Sequence, residues 1–173
     1  MADAGRSGAL GYVAQVGDGH GFVGGLFVVG PEGDPLDFAY TEPVALSPLE
    51  RFLLGPRAEA YLLVQVMLPA LSGQPKVRPS VILLDDTSVL LRRARCELPL
   101  VVLAPETTAV KPGAWEPLAA QGANGLSMWV SEGAPDGARA PIERAIVEMA
   151  PFTILEPFEQ VRRALREMRR TVR

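Results

Sequence analysis

The chain has 173 residues and a formal net charge of -3 at neutral pH, with 48% hydrophobic and 21% charged residues. This length is enough to bury a core without a disulfide or a structural metal. The weak negative charge argues against a protein that coats nucleic acid with its whole surface. Cys96 is the only cysteine and His20 the only histidine, which excludes zinc sites built from several cysteines or histidines. No stretch approaches the ~18 consecutive apolar residues of a membrane-spanning helix, so we expect a cytoplasmic protein that does not contact a membrane.

The first elements are predicted to be three antiparallel strands. Residues 10–16, 22–29 and 36–44 are rich in apolar residues, and turns rich in glycine and proline separate them. Two adjacent glycines in the second strand indicate a bulge or a place where another backbone approaches closely. Residues 1–8 contain no apolar run, and we expect them to form a flexible lead-in.

Two helices are predicted to follow this meander. Ser47, Pro48 and Glu50 have the spacing of a capping box with proline at the first helical position, which predicts a helix that ends near Leu54. A second helix is predicted over residues 57–71, and it is apolar on nearly every side. A helix of that kind is usually packed between layers or covered by a partner.

The second half of the chain has an α/β pattern. Apolar strands are predicted over residues 80–84 and 98–103, with a short helix over 87–94 between them. Because a short helix joins them, the two strands are expected to be parallel neighbours. Residues 105–125 are expected to be loops, and residues 126–131 to form a last strand.

The C-terminal helix has the strongest periodic pattern in the sequence. Its apolar residues recur at helical spacing: Phe158, Val161, Leu165, Met168 and Val172. Arginines surround this stripe and form the predicted binding surface: Arg162, Arg163, Arg166, Arg169, Arg170 and Arg173. Arginine suits the recognition of phosphate and carboxylate groups, so we expect an acidic partner or a nucleic-acid backbone to bind there.

Together these elements predict a single α/β domain. Its mixed sheet begins with an antiparallel meander, continues with parallel strands, and is flanked by helices. We expect the domain to span residues 9–150. Residues 151–173 would form an amphipathic helix that packs on the domain or extends from it.

The predicted strand 81–84 ends at two carboxylates, Asp85 and Asp86. Chemistry in α/β proteins is often placed at such a strand end. A hairpin, a helix and an apolar strand that ends in acid resemble the pattern of ribonuclease H-like nucleases, above all endonuclease V and the nuclease domain of UvrC. The matching stretches are residues 11–21, 25–40 and 81–86.

This resemblance implies a ribonuclease H-like fold and a nuclease that uses Mg²⁺, with Asp18, Asp85 and Asp86 as the candidate catalytic and metal-binding residues. The sequence departs from the family pattern at two places. The first-strand aspartate of the family would fall near Gln15, and Thr87 stands with Asp86 where the family has glycines. A two-metal site needs carboxylates that converge on ions ~3.5–4 Å apart. We therefore predict a degenerate member of the family, without a favoured catalytic or metal-binding residue and without a cofactor.

The function that we favour from the sequence is that of a non-catalytic adaptor subunit in a bacterial multi-protein system, acting through protein–protein contacts. The apolar helix 57–71, Trp115 and Trp129 would serve its interface. One alternative is a metal-dependent nuclease of the ribonuclease H-like type. The other alternative is a nucleic-acid-binding module that uses the basic C-terminal helix.

Overall fold

The computed structural model describes residues 8–18, 21–94, 96–105, 107–118, 126–135, 137–149 and 154–171. Within these ranges the strands form one seven-stranded mixed sheet in the order β3-β2-β1-β4-β5-β7-β6. The strands are β1 Leu10–Asp18, β2 Gly21–Val29, β3 Pro35–Tyr40, β4 Val81–Leu84, β5 Leu100–Pro105, β6 Trp115–Pro117 and β7 Leu126–Ser131. The helices are α1 Pro48–Leu54, α2 Ala58–Leu62, α3 Leu68–Ser72, α4 Arg139–Met149 and α5 Glu156–Thr171. These elements confirm the predicted fold class, a single mixed α/β domain.

The antiparallel meander is confirmed. β1 and β2 pair from Leu10 opposite Val29 to Asp18 opposite Gly21, and β3 pairs antiparallel with the other edge of β2. The register shifts between β2 and β3 at Val28 and Val29. The irregularity therefore lies several residues beyond the glycine pair that we expected to cause it.

The centre of the sheet is parallel and its far edge is not. β4 runs parallel to β5, as the sequence predicted, and it also runs parallel to β1, a pairing that was not predicted. β7 runs antiparallel to β5, and β6 runs antiparallel to β7. β6 lies inside residues 105–125, which we expected to be loops. At three residues, with a proline at its end, β6 is too short to produce a readable alternation of apolar and polar positions.

The predicted capping box is present at the start of α1. The Ser47 hydroxyl accepts a hydrogen bond from the Glu50 backbone N–H at 3.2 Å, and the Glu50 carboxylate accepts one from the Ser47 backbone N–H at 2.7 Å. Hydrogen bonds to the Glu50 carboxyl from the side chain and the backbone N–H of Ser47 lower its pKa.

The helical segment that follows is less regular than predicted. A turn of 3₁₀ helix over Gly55–Arg57 leads into α2, and a π-helical turn over Leu63–Met67 separates α2 from α3. The short helix expected over residues 87–94 is a 3₁₀ turn over Thr87–Leu91. None of the helices in the described ranges is long and apolar enough to cross a membrane.

Helices cover both faces of the sheet. On one face, the segment from α2 to α3 buries apolar side chains on several sides: Leu62, Leu63, Val64, Met67, Leu68 and Leu71. On the other face, α4 and α5 bury Ile142, Ala145, Ile146, Phe158, Val161 and Leu165. The all-round apolar character of residues 57–71 is therefore explained by burial inside the domain.

The glycine pair of β2 lets both layers approach the sheet closely. Consecutive residues of a strand point to opposite faces. A Cβ atom at Gly24 would lie 2.8 Å from the Met67 sulfur, and one at Gly25 would lie 3.0 Å from a Val161 methyl group. The close approach at these glycines is therefore made by side chains of the two layers, and not by another backbone or through a bulge as we expected.

Candidate functional site

A cleft with a volume of about 680 Å³ opens between the carboxyl end of β1 and the exposed side of α5. β1 contributes the backbone around Gly17 together with the side chains of Gln15 and Asp18. Phe22 of β2 and Glu59 of α2 also line the cleft. Helix α5 contributes Arg162, Arg166, Arg169 and Arg170.

The packing of α5 determines which arginines face the cleft. Phe158, Val161 and Leu165 are at most 1% exposed and hold the helix on the sheet. The Phe158 ring meets the Tyr12 ring edge to face, with 5.1 Å between the ring centroids. Because residues three or four apart share a helix face, this buried stripe places an arginine row along the neighbouring face.

Asp85 lies directly after β4 and is bound by Arg162. The Arg162 Nη2 atom is 2.6 Å from each Asp85 carboxylate oxygen, and Nη1 is 2.9 Å from the Glu159 carboxylate. The Arg162 and Asp85 side chains are only 22% and 20% exposed. Partial burial acts to lower the pKa of Arg162, but the hydrogen bonds and negative charges of Asp85 and Glu159 together raise this pKa overall. Asp85 is therefore compensated by a fixed positive charge from α5.

Asp18, the last residue of the neighbouring strand β1, is also bound by an arginine of α5. The Arg169 Nη2 atom lies 2.6 Å from Asp18 Oδ1. The Arg169 Nη1 atom also donates to the backbone carbonyl of Gly21 at 3.2 Å. Arg169 thus ties α5 to the tip of the β1–β2 hairpin.

Asp86 has a local structural role. Its carboxylate accepts a hydrogen bond from the Ser88 backbone N–H at 3.0 Å and one from the Ser88 hydroxyl at 2.5 Å. These bonds cap the 3₁₀ turn that follows β4. The three candidate carboxylates are therefore held by three different partners.

The residues present do not fit a two-metal centre. Among the described residues, no cluster of three or more aspartate, glutamate, histidine or cysteine side chains has an arrangement that would hold a metal ion. Gln15, near the position of the family's first-strand aspartate, donates through Nε2 to the Glu59 backbone carbonyl at 3.0 Å. Its Oε1 atom is buried and has no hydrogen-bond partner among the residues that the structure describes. One neutral oxygen beside two arginine-bound carboxylates is not the donor set of a divalent metal pair.

The predicted arginines divide between the cleft and the solvent. Arg162, Arg166, Arg169 and Arg170 line the cleft, whereas Arg163 is exposed and is not part of its lining. Arg173, the sixth predicted arginine, lies outside the described residues, as do Gly19 and His20 of the glycine-rich turn.

Sequence reasoning missed Glu59 and Phe22 as cleft residues. Neither belongs to a motif, and each reaches the cleft only through the packing of α2 and β2 around the end of β1. The isolated bridge between Phe22 and Val44 lies past the end of β3, within the strand that the sequence predicted over residues 36–44.

No protein-family model and no curated protein matches the chain significantly. The fold is similar to that of solved endonuclease V structures. The Streptomyces avermitilis protein superposes with a TM-score of 0.53 at 15% sequence identity, over 94% of this chain and 83% of that chain. The Bacillus subtilis protein superposes with a TM-score of 0.50 at 11% identity, over 95% of this chain and 82% of that chain. These similarities confirm the resemblance to ribonuclease H-like nucleases at the level of the fold.

The comparison corrects the function that we favoured from the sequence. The adaptor acting through protein–protein contacts is wrong, because the solved structures that share this fold are nucleases. The features on which the adaptor rested are also used inside the domain. Residues 63–64 and 67–68 of the apolar helix are buried against the sheet, and Trp115 is only 4% exposed. Trp129 is partly buried and packs against the core.

Proposed function

We propose that this protein binds nucleic acid and holds the phosphate backbone with the α5 arginines at the cleft beside β1. The observation that carries the proposal is the convergence of four arginines from one helix on a single concave site: Arg162, Arg166, Arg169 and Arg170. Guanidinium groups donate several N–H bonds in a planar fork, which suits phosphate oxygens.

The cleft offers two kinds of arginine. Arg162 and Arg169 are held in place by Asp85 and Asp18, so little side-chain entropy is lost when their remaining N–H groups donate to a phosphate. Arg166 is exposed and forms no ion pair with another described residue, so its full charge is available to a ligand. Among the residues that the structure describes, Arg170 pairs with the exposed Glu167 alone, at 2.9 Å. A pair so exposed is weak and easily exchanged for a phosphate.

Two further observations support nucleic acid as the ligand. Phe22 lines the cleft beside the arginines, and a positively charged groove with an aromatic side chain is typical of proteins that bind single strands. The solved proteins with this fold are endonucleases, which act on nucleic acid. With a net charge of -3, the chain would bind through this local basic site and not through its whole surface.

The proposal is tested by fluorescence anisotropy with labelled single-stranded and duplex oligonucleotides in EDTA. The double variant Arg166→Glu with Arg170→Glu should weaken binding at least about tenfold. A plot of the logarithm of the binding constant against the logarithm of the salt concentration should also become less steep by about 1.4 for a single strand, because two phosphate contacts are lost. The matched control is Arg163→Glu with Arg144→Glu, which changes the net charge equally at exposed positions outside the cleft.

The control should bind within about twofold of the wild type. Equal losses in the two double variants would show that only the overall charge matters, and the cleft would then not be the site. Absence of binding by the wild-type protein at low salt would refute the proposal as a whole.

Hydrolysis of nucleic acid is a second candidate function, favoured by the fold similarity to endonuclease V. The arginine-bound carboxylates argue against it, since they do not fit the metal pair. Incubation of labelled single strands and duplexes with Mg²⁺ or Mn²⁺ should therefore give no cleavage above that of heat-inactivated protein. Cleavage that disappears in Asp85→Ala would establish the nuclease and assign Asp85 to it.

A further inference from the structure

The geometry points to Arg162 as a built-in positive charge that takes the place of a divalent cation at Asp85. It follows that the site after β4 binds no metal while Arg162 is present, and that removal of this one side chain creates a cation site. The inference concerns the same cleft, but it does not rest on nucleic-acid binding.

The first argument is the position of Asp85. β1 and β4 run parallel, and Val13 lies opposite Leu84 at the last pair of their register. Asp85 therefore follows at the same sheet edge as residues 14–15 of β1. A carboxylate only 20% exposed at a sheet edge needs a positive charge, since an uncompensated charge there is strongly unfavourable.

The second argument is how completely Arg162 meets that need. Its Nη2 atom contacts both Asp85 oxygens at 2.6 Å, and its Nη1 atom contacts Glu159 at 2.9 Å. One guanidinium thus compensates two carboxylates at once, as a divalent ion between them would. A metal that approached Asp85 would have to displace a cation that is covalently part of the protein.

The third argument is repetition. Arg169 lies seven residues after Arg162, which is about two helical turns or ~10 Å along α5. It compensates Asp18 at the end of β1 with a contact of 2.6 Å. Both strand-end carboxylates that sequence reasoning offered as metal ligands are therefore compensated by arginines from one helix.

Removal of the Arg162 charge would leave oxygen ligands with no cation. Asp85 and Glu159 would both lose their partner. Carboxylate oxygens, completed by water, are what Mn²⁺ and Mg²⁺ bind in proteins.

The test measures metal binding directly, in the absence of nucleic acid. Bound Mn²⁺ is counted by electron paramagnetic resonance, and thermal unfolding is followed with Mn²⁺ and with EDTA. The wild-type protein and Arg163→Met should bind no Mn²⁺ through Asp85 and should unfold at the same temperature in both buffers. Arg162→Met should bind Mn²⁺ and gain about 3–6 °C in Mn²⁺ over EDTA if the ion is present at about ten times its dissociation constant.

Two further variants identify the charge as the cause. Arg162→Lys keeps a positive charge and should bind no Mn²⁺, and Asp85→Asn added to Arg162→Met should abolish the new binding. The inference is overturned if folded Arg162→Met fails to bind Mn²⁺. It is equally overturned if the wild-type protein binds Mn²⁺ and loses it in Asp85→Asn, a comparison that does not depend on whether Arg162→Met folds. Because the assay contains no nucleic acid, its outcome is independent of the proposed function.

Discussion

Helices α1 and α5 both begin at a clear sequence signal, but they contribute very differently to the fold. α1 starts with a complete capping box, yet none of its seven residues, all of which the structure describes, is buried. Phe52 is 83% exposed, and Leu49 and Leu53 are about two-thirds exposed. α5 buries Phe158, Val161 and Leu165 of its apolar stripe, while Met168 is half-buried and Val172 lies outside the described residues. Arginines of its polar face bind carboxylates at the ends of β1 and β4.

The difference separates two properties that a sequence motif can suggest together. Capping residues satisfy local backbone N–H groups and so determine where a helix begins. The contribution of a helix to stability depends on the apolar area that tertiary contacts remove from water. The two helices therefore predict different effects for similar substitutions.

The largest expected effect is that of Leu165→Ala in α5. Leu165 is fully buried between the helix and β2, so its truncation should lower the free energy of unfolding by about 2–5 kcal/mol. Chemical denaturation measures the loss. The control is Leu53→Ala in α1, which is 65% exposed and should change stability by no more than about 0.5 kcal/mol. Similar losses in the two variants would contradict the contrast between the helices.

A smaller effect is expected on the free energy of unfolding at alkaline pH, and it comes from Tyr12, which packs against α5. Burial raises the pKa of the Tyr12 phenol from 10.0 to about 12. Between these values the unfolded chain releases the proton while the folded protein keeps it, so the free energy of unfolding should fall as the pH rises. The loss should reach about 2–3 kcal/mol near pH 12, and it should be absent below pH 10.

Urea denaturation between pH 9 and about 11.5 tests this dependence. Tyr12→Phe should remove this part of the slope. Tyr40→Phe should keep it, because Tyr40 is 51% exposed. An unchanged slope in Tyr12→Phe would mean that other groups cause the alkaline loss of stability.

The smallest expected effect is that of Ser47→Ala at the start of α1. Loss of a capping side chain typically costs about 1 kcal/mol, and we expect the lower part of the 0.5–2 kcal/mol range because the cap is exposed. Thermal unfolding measures the change, and Ser47→Asp should restore most of the stability since aspartate is also a good N-cap residue. A loss above about 2 kcal/mol would indicate that α1 contributes to the fold through more than its cap.

Much of the fold was predictable from local patterns. The meander, the Ser47 cap, the parallel pair β4 and β5 and the buried stripe of α5 all follow from apolar periodicity and from turn or cap residues. The antiparallel far edge of the sheet was not predictable, since the direction of β7 depends on the path of a long connection. The π-helical turn after α2 likewise results from packing that no local residue announces.

The candidate site was predictable in its parts but not in its arrangement. The sequence singled out Asp85 and Asp18 as candidate metal ligands, and separately the α5 arginines as a surface for an acidic partner or a nucleic-acid backbone. That Arg162 and Arg169 each bind one of those carboxylates depends on how α5 crosses the strand ends, which lie roughly 80 and 150 residues earlier in the chain. The sequence therefore offered these carboxylates as metal ligands only in the nuclease alternative, whereas in the folded chain they form ion pairs.

The glycine pair of β2 has a consequence for how relatives of this protein can vary. An alanine Cβ at position 25 would press on Val161 and Leu165, and one at position 24 would press on Met67, so each alanine would fit best beside a smaller neighbour. Residue sizes within each pair should therefore change in opposite directions from one homologue to the next. Such inverse covariation on both faces of β2 would reveal, from sequences alone, the place where both helical layers lie closest to the sheet.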